Sequence, residues 1–180
     1  MSKKVLVIST SPRKGGNSDT LADAFLRGAR EAGNDVEKVT LCDKTIGFCR
    51  GCLACQSTQR CVIRDDADAI ARQMLTADVI AFATPIYYYG MCGQMKTMLD
   101  RANPLFSADY AFRDIYLLAA AAEEEPHTVD GAVTGLQGWI DCFEKARLAG
   151  TVFAGGVTAA GEIQGHSALQ TAYEMGKNIG

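Results

Sequence analysis

"VLVISTSPRKGGNSDT", Val5 to Thr20, joins a continuous apolar run to a small polar stretch carrying two glycines, one arginine and one lysine. Val5–Ile8 shows no polar alternation, which is the pattern of a strand buried on both faces and therefore of a parallel sheet. From Ser18 to Gly33 the positions Leu21, Phe25, Gly28, Ala29 and Ala32 recur at helical spacing, and Gly33-Asn34 supplies a stop. A buried strand, a polar loop over Ser9–Ser18 and a helix make the opening of a strand–helix–strand unit.

The rest of the chain repeats that unit. Val36–Leu41 is a second strand whose charged residues place it near a sheet edge. Cys42–Arg64 has no useful periodicity, and a loop of that length in a compact domain is usually functional or disordered. Asp65 or Asp66 can cap a helix with Ala67, Ile70, Ala71, Met74 and Leu75 on its apolar face. Val79–Ala83 is the third strand. Pro85 pushes Thr84 away from helix, so Pro85–Gly90 reads as a loop at that strand's C-terminal end. A helix over Met91–Asn103 follows, then a connector, Pro104–Phe112, with aromatics expected to be exposed. Ile115–Ala122 and Thr151–Val157 are the fourth and fifth strands. His127–Arg147 and Ser167–Ile179 are the helices that follow them. Strict alternation predicts an α/β, doubly wound, five-stranded parallel sheet with helices on both faces. Strand order 2-1-3-4-5 is expected, the flavodoxin-like arrangement, in a single domain over residues 1–180.

Composition narrows the function classes. The chain has 180 residues and a formal net charge of −3, and it contains no run of lysines and arginines. Nucleic-acid binding ordinarily needs a clustered basic face, so that class is set aside. The apolar runs Val5–Ile8 and Val79–Ala83 fall far short of the roughly 20 residues of a spanning helix. Met1-Ser-Lys-Lys leads straight into the first strand without a signal-peptide core, so a cytoplasmic location is expected.

In an open sheet of this kind ligands bind outside the C-terminal strand ends, at the switch between strands 1 and 3. The Ser9–Ser18 loop lies there and opens a helix, whose free N–H groups and positive dipole end suit a phosphate. Ser9, Ser11, Asn17 and Ser18 can donate hydrogen bonds, and Arg13 adds charge; Asn17 or Ser18 can equally serve as a plain helix cap. The loop has neither the Walker A ending nor G-x-G-x-x-G, so a phosphomonoester fits it better than a nucleotide triphosphate or a tightly held dinucleotide. Across the crevice lies "TPIYYYGMCGQMKTMLDR", Thr84–Arg101. Tyr87, Tyr88 and Tyr89 offer flat faces with polar tips, suited to a planar ring system or to a subunit interface.

Seven cysteines are an odd number and many for a chain of this size. Without an export signal they read as thiols or ligands rather than structural disulfides. Cys49, Cys52, Cys55 and Cys61 form C-x2-C-x2-C-x5-C, a set that suits a [4Fe–4S] cluster or zinc, or that stays as reduced thiols. Cys42, Cys92 and Cys142 lie outside it. No Ser-His-Asp set or paired histidine spacing is present, so no catalytic residues are assigned.

Taken together, S-x-P-R-K-x-x-N-S after strand 1, the cysteine-rich loop ending C-V-I-R-D-D, and P-I-Y-Y-Y-G after strand 3 resemble the NAD(P)H-dependent FMN reductase-like branch of the flavodoxin superfamily, and within it the iron–sulfur flavoproteins. The resemblance covers nearly the whole chain. It implies FMN, with phosphate at Ser9, Ser11, Arg13, Asn17 and Ser18, and with Pro85, Ile86, Tyr87 and Gly90 beside the isoalloxazine. Pro12, Thr84 and Tyr88 complete the expected cofactor-binding set. The family often has glycine- or threonine-rich chain after strand 4, where this sequence has Ala119–Ala122 and then Glu123–Glu125. NAD(P)H is implied as co-substrate, a quinone, flavin or other small molecule as acceptor, and a homodimer as the assembly. The alternative the resemblance implies is an electron carrier with FMN and a [4Fe–4S] cluster, exchanging electrons with a ferredoxin-like redox protein.

Overall fold

The computed structural model describes residues 1–180. Its central sheet contains β1 (Lys4–Ser9), β2 (Asp35–Thr40), β3 (Val79–Tyr87), β5 (Asp114–Ala120) and β6 (Arg147–Ala154) in the order β2-β1-β3-β5-β6, and a two-residue β4 (Gly90–Met91) pairs only with β3. The five long strands are parallel, as expected, and the order is the flavodoxin-like one. The helices are α1 (Asn17–Glu31), α2 (Ala54–Thr58), α3 (Asp66–Thr76), α4 (Gly93–Arg101), α5 (Asp130–Ile140) and α6 (Ser167–Lys177).

Two apolar layers hold them to the sheet. Val5, Val7, Ala81, Ala83 and Leu118 face α1 and α6, while Leu6, Ile8, Ile80, Phe82 and Leu117 face α3, α4 and α5. Alternate residues of β1 and β3 thus enter opposite layers, which is why those strands read as unbroken apolar runs. β2 is the exposed edge its charges predicted, and Asp65 caps α3 by accepting the Ala67 N–H at 3.1 Å.

Four local expectations are corrected. β3 does not end at Ala83. It runs through Pro85 to Tyr87 and returns as β4, pairing Ile86 with Met91 and Tyr87 with Gly90. The β1–β3 pairing ends at Ser9–Ala83, so Pro85 has no ladder partner on the β1 side, where its missing N–H is tolerated, and pairs only with β5. Tyr88 and Tyr89 at the hairpin tip have φ of 49° and 62°, the sign at both central positions that a type I′ turn requires.

The helix expected over His127–Arg147 is a 3-10 turn at Pro126–Val129 followed by the shorter α5, and Arg147 opens β6 by pairing with Asp114. β6 accordingly starts and ends earlier than Thr151–Val157. The connector aromatics are not all exposed: Phe106 is, but Tyr110 and Phe112 are buried. Tyr110 and Phe112 stack at 4.4 Å and meet Phe143 edge-on at 5.1 and 5.2 Å, a cluster that also holds Trp139. The Cys42–Arg64 loop carries the short α2, entered and left through residues of positive φ, Leu53 and Gln59. No helix is long and apolar enough to cross a membrane.

Candidate functional site

Beyond Ser9 the chain turns at Gly15, which has a φ of 65°, and enters α1 through Gly16. A Cβ on Gly16 would stand 2.8 Å from the Ser11 Oγ and 3.2 Å from the Arg13 carbonyl, so only glycine allows this curl. Gly16 is also the N-cap, and no side chain caps the helix. The N–H groups of Asn17, Ser18 and Asp19 consequently have no hydrogen-bond acceptor in the protein, while the next amide, Thr20, bonds the Gly16 carbonyl at 2.9 Å. These three residues are nevertheless buried. Unpaired, buried amides at a helix N-terminus form a cradle for an anion.

The side chains around the cradle divide into scaffold and contact groups. The Ser11 hydroxyl donates to the Arg13 carbonyl at 2.8 Å and accepts the Arg13 N–H at 3.2 Å, fixing the turn. Arg13 Nη2 donates to the Thr158 carbonyl at 3.0 Å. Asn17 Nδ2 donates to the Ala159 carbonyl at 3.0 Å, and its Oδ1 accepts the Ile163 N–H at 3.3 Å. Arg13 and Asn17 thus tie the loop after β6 across the cradle. The Ser18 hydroxyl has no protein partner. The exposed Glu162 carboxyl is lowered below its ordinary range by the N–H groups of Thr158 and Ala159, which it accepts at 2.6 and 2.8 Å.

Ser9 behaves differently from its expectation. It is fully buried and donates to Asp19 Oδ1 at 2.6 Å, beneath the cradle. Asp19 also accepts the Gly15 N–H at 3.0 Å and pairs with Lys38 at 2.8 Å. Burial pushes the Asp19 carboxyl up, but hydrogen bonds from Lys38, Ser9 and Gly15 and the Lys38 charge outweigh it and hold it below the usual range.

Opposite the cradle, β3 carries Pro85, Ile86 and Tyr87 past the end of β1. With the small residues Ala120, Ala121 and Ala122 at the end of β5, and with Val157 and Thr158, they close a cavity of about 440 Å³ whose polar end holds Ser11, Arg13, Asn17 and Ser18. That volume is in the ordinary range for a small-molecule or cofactor site. Seven expected residues therefore line one cavity: Ser11, Arg13, Asn17, Ser18, Pro85, Ile86 and Tyr87. Five do not line it. Ser9 is the scaffold just described. Thr84 is buried, donating to the Pro85 carbonyl at 3.0 Å and accepting the Cys92 N–H at 3.2 Å. Pro12 is exposed in the turn, Tyr88 is fully exposed at the hairpin tip, and Gly90 lies in β4. Val157 and Thr158 carried no sequence signal: Val157 is brought to the cavity by its N–H bond to the Ala121 carbonyl at 2.9 Å and Thr158 by the tether to Arg13.

The four motif cysteines line a second cavity of about 430 Å³, walled by Leu99, Phe106, Trp139 and Phe143 and including Cys142. All seven cysteines are free thiols. No three His, Cys, Asp or Glu side chains stand close enough to hold a single metal ion. The loop is clamped by Arg101, whose side chain is completely buried. Arg101 donates to both oxygens of Asp65 at 2.7 and 2.8 Å, to the Gly47 carbonyl at 2.8 Å and to the Ile63 carbonyl at 3.1 Å, so it joins the two ends of the cysteine loop to the α3 cap. Its Nε has no partner. Asp65, pushed up by burial, is brought below its ordinary range chiefly by Arg101 and the Gly47 N–H. Asn103 Nδ2 donates to the Cys55 sulfur at 3.0 Å.

The parallel sheet is a flavodoxin-like one, with an uncapped helix N-terminus at its β1–β3 switch and a partly apolar cavity beside it. Residues 3–137 match the NADPH-dependent FMN reductase family, and the chain belongs to that family. FMN and NAD(P)H, the cofactor and co-substrate expected from the sequence, agree with it. The chain is similar to an iron–sulfur flavoprotein of Archaeoglobus fulgidus, 41% identical over 101 residues, covering 56% of this chain and 46% of that protein. It is also similar to an iron–sulfur flavoprotein of Methanocaldococcus jannaschii, 39% identical over 102 residues, covering 57% of this chain and 53% of that one. The chain thus spans about half the length of these curated relatives. The fold is shared with an NAD(P)H:quinone oxidoreductase from Methanothermobacter marburgensis, with a TM-score of 0.72, 16% identity and full coverage of both chains.

Proposed function

We propose that the chain is an FMN-dependent oxidoreductase that takes reducing equivalents from NAD(P)H and delivers them to a quinone, a flavin or another small acceptor. The observation that carries this reading is the set of three unpaired amides of the buried residues Asn17, Ser18 and Asp19, beside the cavity that Asn17 and Ser18 line and that Tyr87 and the Ala120–Ala122 end of β5 border. Those amides and the Ser18 hydroxyl suit the phosphate of FMN. Ile86, Tyr87 and the alanines form a flat apolar wall for its ring. Bound FMN supplies the hydride and electron chemistry. The chain's own residues bind and orient it: Pro85 stiffens the wall, and Arg13 and Asn17 hold the Thr158–Ile163 segment across the phosphate end. No protein acid or base is needed. Tyr88 and Tyr89, exposed at the tip of the β3–β4 hairpin, suit contact with a second copy of the chain, and free thiols suit a reducing cytoplasm. Titration of the purified chain with FMN, followed by NAD(P)H oxidation with a quinone acceptor, tests this reading. Saturable FMN binding and turnover are expected, and absence of both ends it.

A second reading adds a [4Fe–4S] cluster at Cys49, Cys52, Cys55 and Cys61, making the chain an electron carrier for a ferredoxin-like protein. What favours it is that all four cysteines line one cavity. A cluster of four irons is bulkier than zinc and takes its thiolates further apart. Anaerobic purification with iron and sulfide analysis decides it. About four of each per chain are expected, and absence of both leaves the flavin-only enzyme.

A further inference from the structure

Asp19 poses a problem for an anion cradle. Its N–H is one of the three open amides, yet its carboxylate belongs to the first turn of the same helix. A free negative charge there would repel any phosphate held by the amides. The carboxylate is needed locally, since its two oxygens accept the Ser9 hydroxyl at 2.6 Å and the Gly15 N–H at 3.0 Å and so shape the loop. The charge is met from another element. Lys38, on the edge strand β2, reaches over α1 and places its ammonium 2.8 Å from Asp19 and 2.6 Å from Asp23, one helical turn further on. The Lys38 side chain is only 20% exposed and that of Asp19 9%, whereas that of Asp23 is 61% exposed. The Lys38–Asp19 contact is therefore the one shielded from solvent, and an interaction of that kind is poorly screened.

We infer that Lys38 is a positioning and charge-balancing residue for the phosphate cradle: by neutralising Asp19 it lets a helix that carries a carboxylate in its first turn accept a phosphomonoester dianion. The inference rests on the FMN reading above and extends it to a residue that lines no part of the cavity. Lys38 is set in register with Val7 of β1, so the strand pairing that builds the sheet also delivers the counter-charge. It was invisible in the sequence, where Lys38 is one charge among several on an edge strand.

The test compares FMN with riboflavin, which shares the ring and lacks the phosphate. In Lys38→Met the aliphatic stem is kept and the charge removed. FMN affinity should fall roughly tenfold, while riboflavin affinity stays within about twofold of the wild type. Asp19→Asn added to Lys38→Met removes the uncompensated charge and should return FMN affinity to within about threefold of the wild type. Equal weakening of both flavins would assign Lys38 a merely structural role and overturn the inference, as would an unchanged FMN affinity or a double variant as weak as the single one. Riboflavin also reports folding, since a misfolded variant loses both flavins, and that result counts as the structural role. A wild-type chain that binds FMN no better than riboflavin overturns the phosphate reading beneath the inference. A wild-type preference for FMN that Lys38→Met leaves intact overturns the inference alone.

Discussion

The two cavities have nearly the same volume, about 440 and 430 Å³, and are built in opposite ways. The cradle cavity is made where regular elements end: β1 stops, β3 runs on, α1 begins uncapped. Its recognition groups are backbone amides whose positions follow from the sheet. The cysteine cavity is made by irregular chain, with left-handed residues at Leu53 and Gln59 and one buried side chain holding both loop ends. A site of the first kind is carried by the fold, and most side-chain changes leave it standing. A site of the second kind depends on single residues.

The sharpest way to break that comparison is Arg101→Ala. It strands Asp65 and frees the carbonyls of Gly47 and Ile63, and losing one partner of a buried pair costs about 3–5 kcal/mol. Chemical denaturation should show that loss. Cys55, buried in the native chain, should react faster with a thiol reagent, while FMN affinity at native conditions changes by less than about twofold. Gly16→Val should do the converse. The new side chain meets Ser11 and the Arg13 carbonyl, so FMN affinity should fall by about tenfold or more, equivalent to about 1.4 kcal/mol, with Cys55 reactivity unchanged.

Ser18→Ala should be milder, since one hydroxyl contact is worth about 1 kcal/mol, or about fivefold in the FMN dissociation constant, with no change in folding stability.

Acid titration sharpens the comparison at both sites with the smallest effect. Asp19 and Asp65 have folded pKa values below the ordinary 3.8. Each therefore contributes stability that is fully present above that value and is lost as the pH falls through 3.8 toward the lower folded value. Asp19→Asn should flatten the acid limb of a stability–pH curve, and Asp65→Asn should flatten it as well while loosening the cysteine loop.

These differences also explain what could be read from the chain. Strand order and the position of the cradle loop were legible because they depend on periodicity and on the chain order of elements, both written locally. The extent of β3 was not, because whether Pro85 ends a strand depends on β1 having already turned away beside it. The burial of Tyr110 and Phe112 depends on Phe143 and Trp139, distant in sequence. Arg101 follows Lys96 and Asp100, an exposed pair at 2.6 Å, and nothing local distinguished its buried position from theirs. Asp65 was legible as a cap because capping is local, but its second role as the Arg101 partner was not.

The central claim concerns three amides, and amide nuclear magnetic resonance reads them directly. On addition of FMN to ¹⁵N-labelled chain, the Asn17, Ser18 and Asp19 N–H signals should shift strongly downfield, while riboflavin moves the Tyr87 and Ala120–Ala122 signals and leaves those three near their starting positions. FMN that binds without moving them, or riboflavin that moves them equally, would contradict the account.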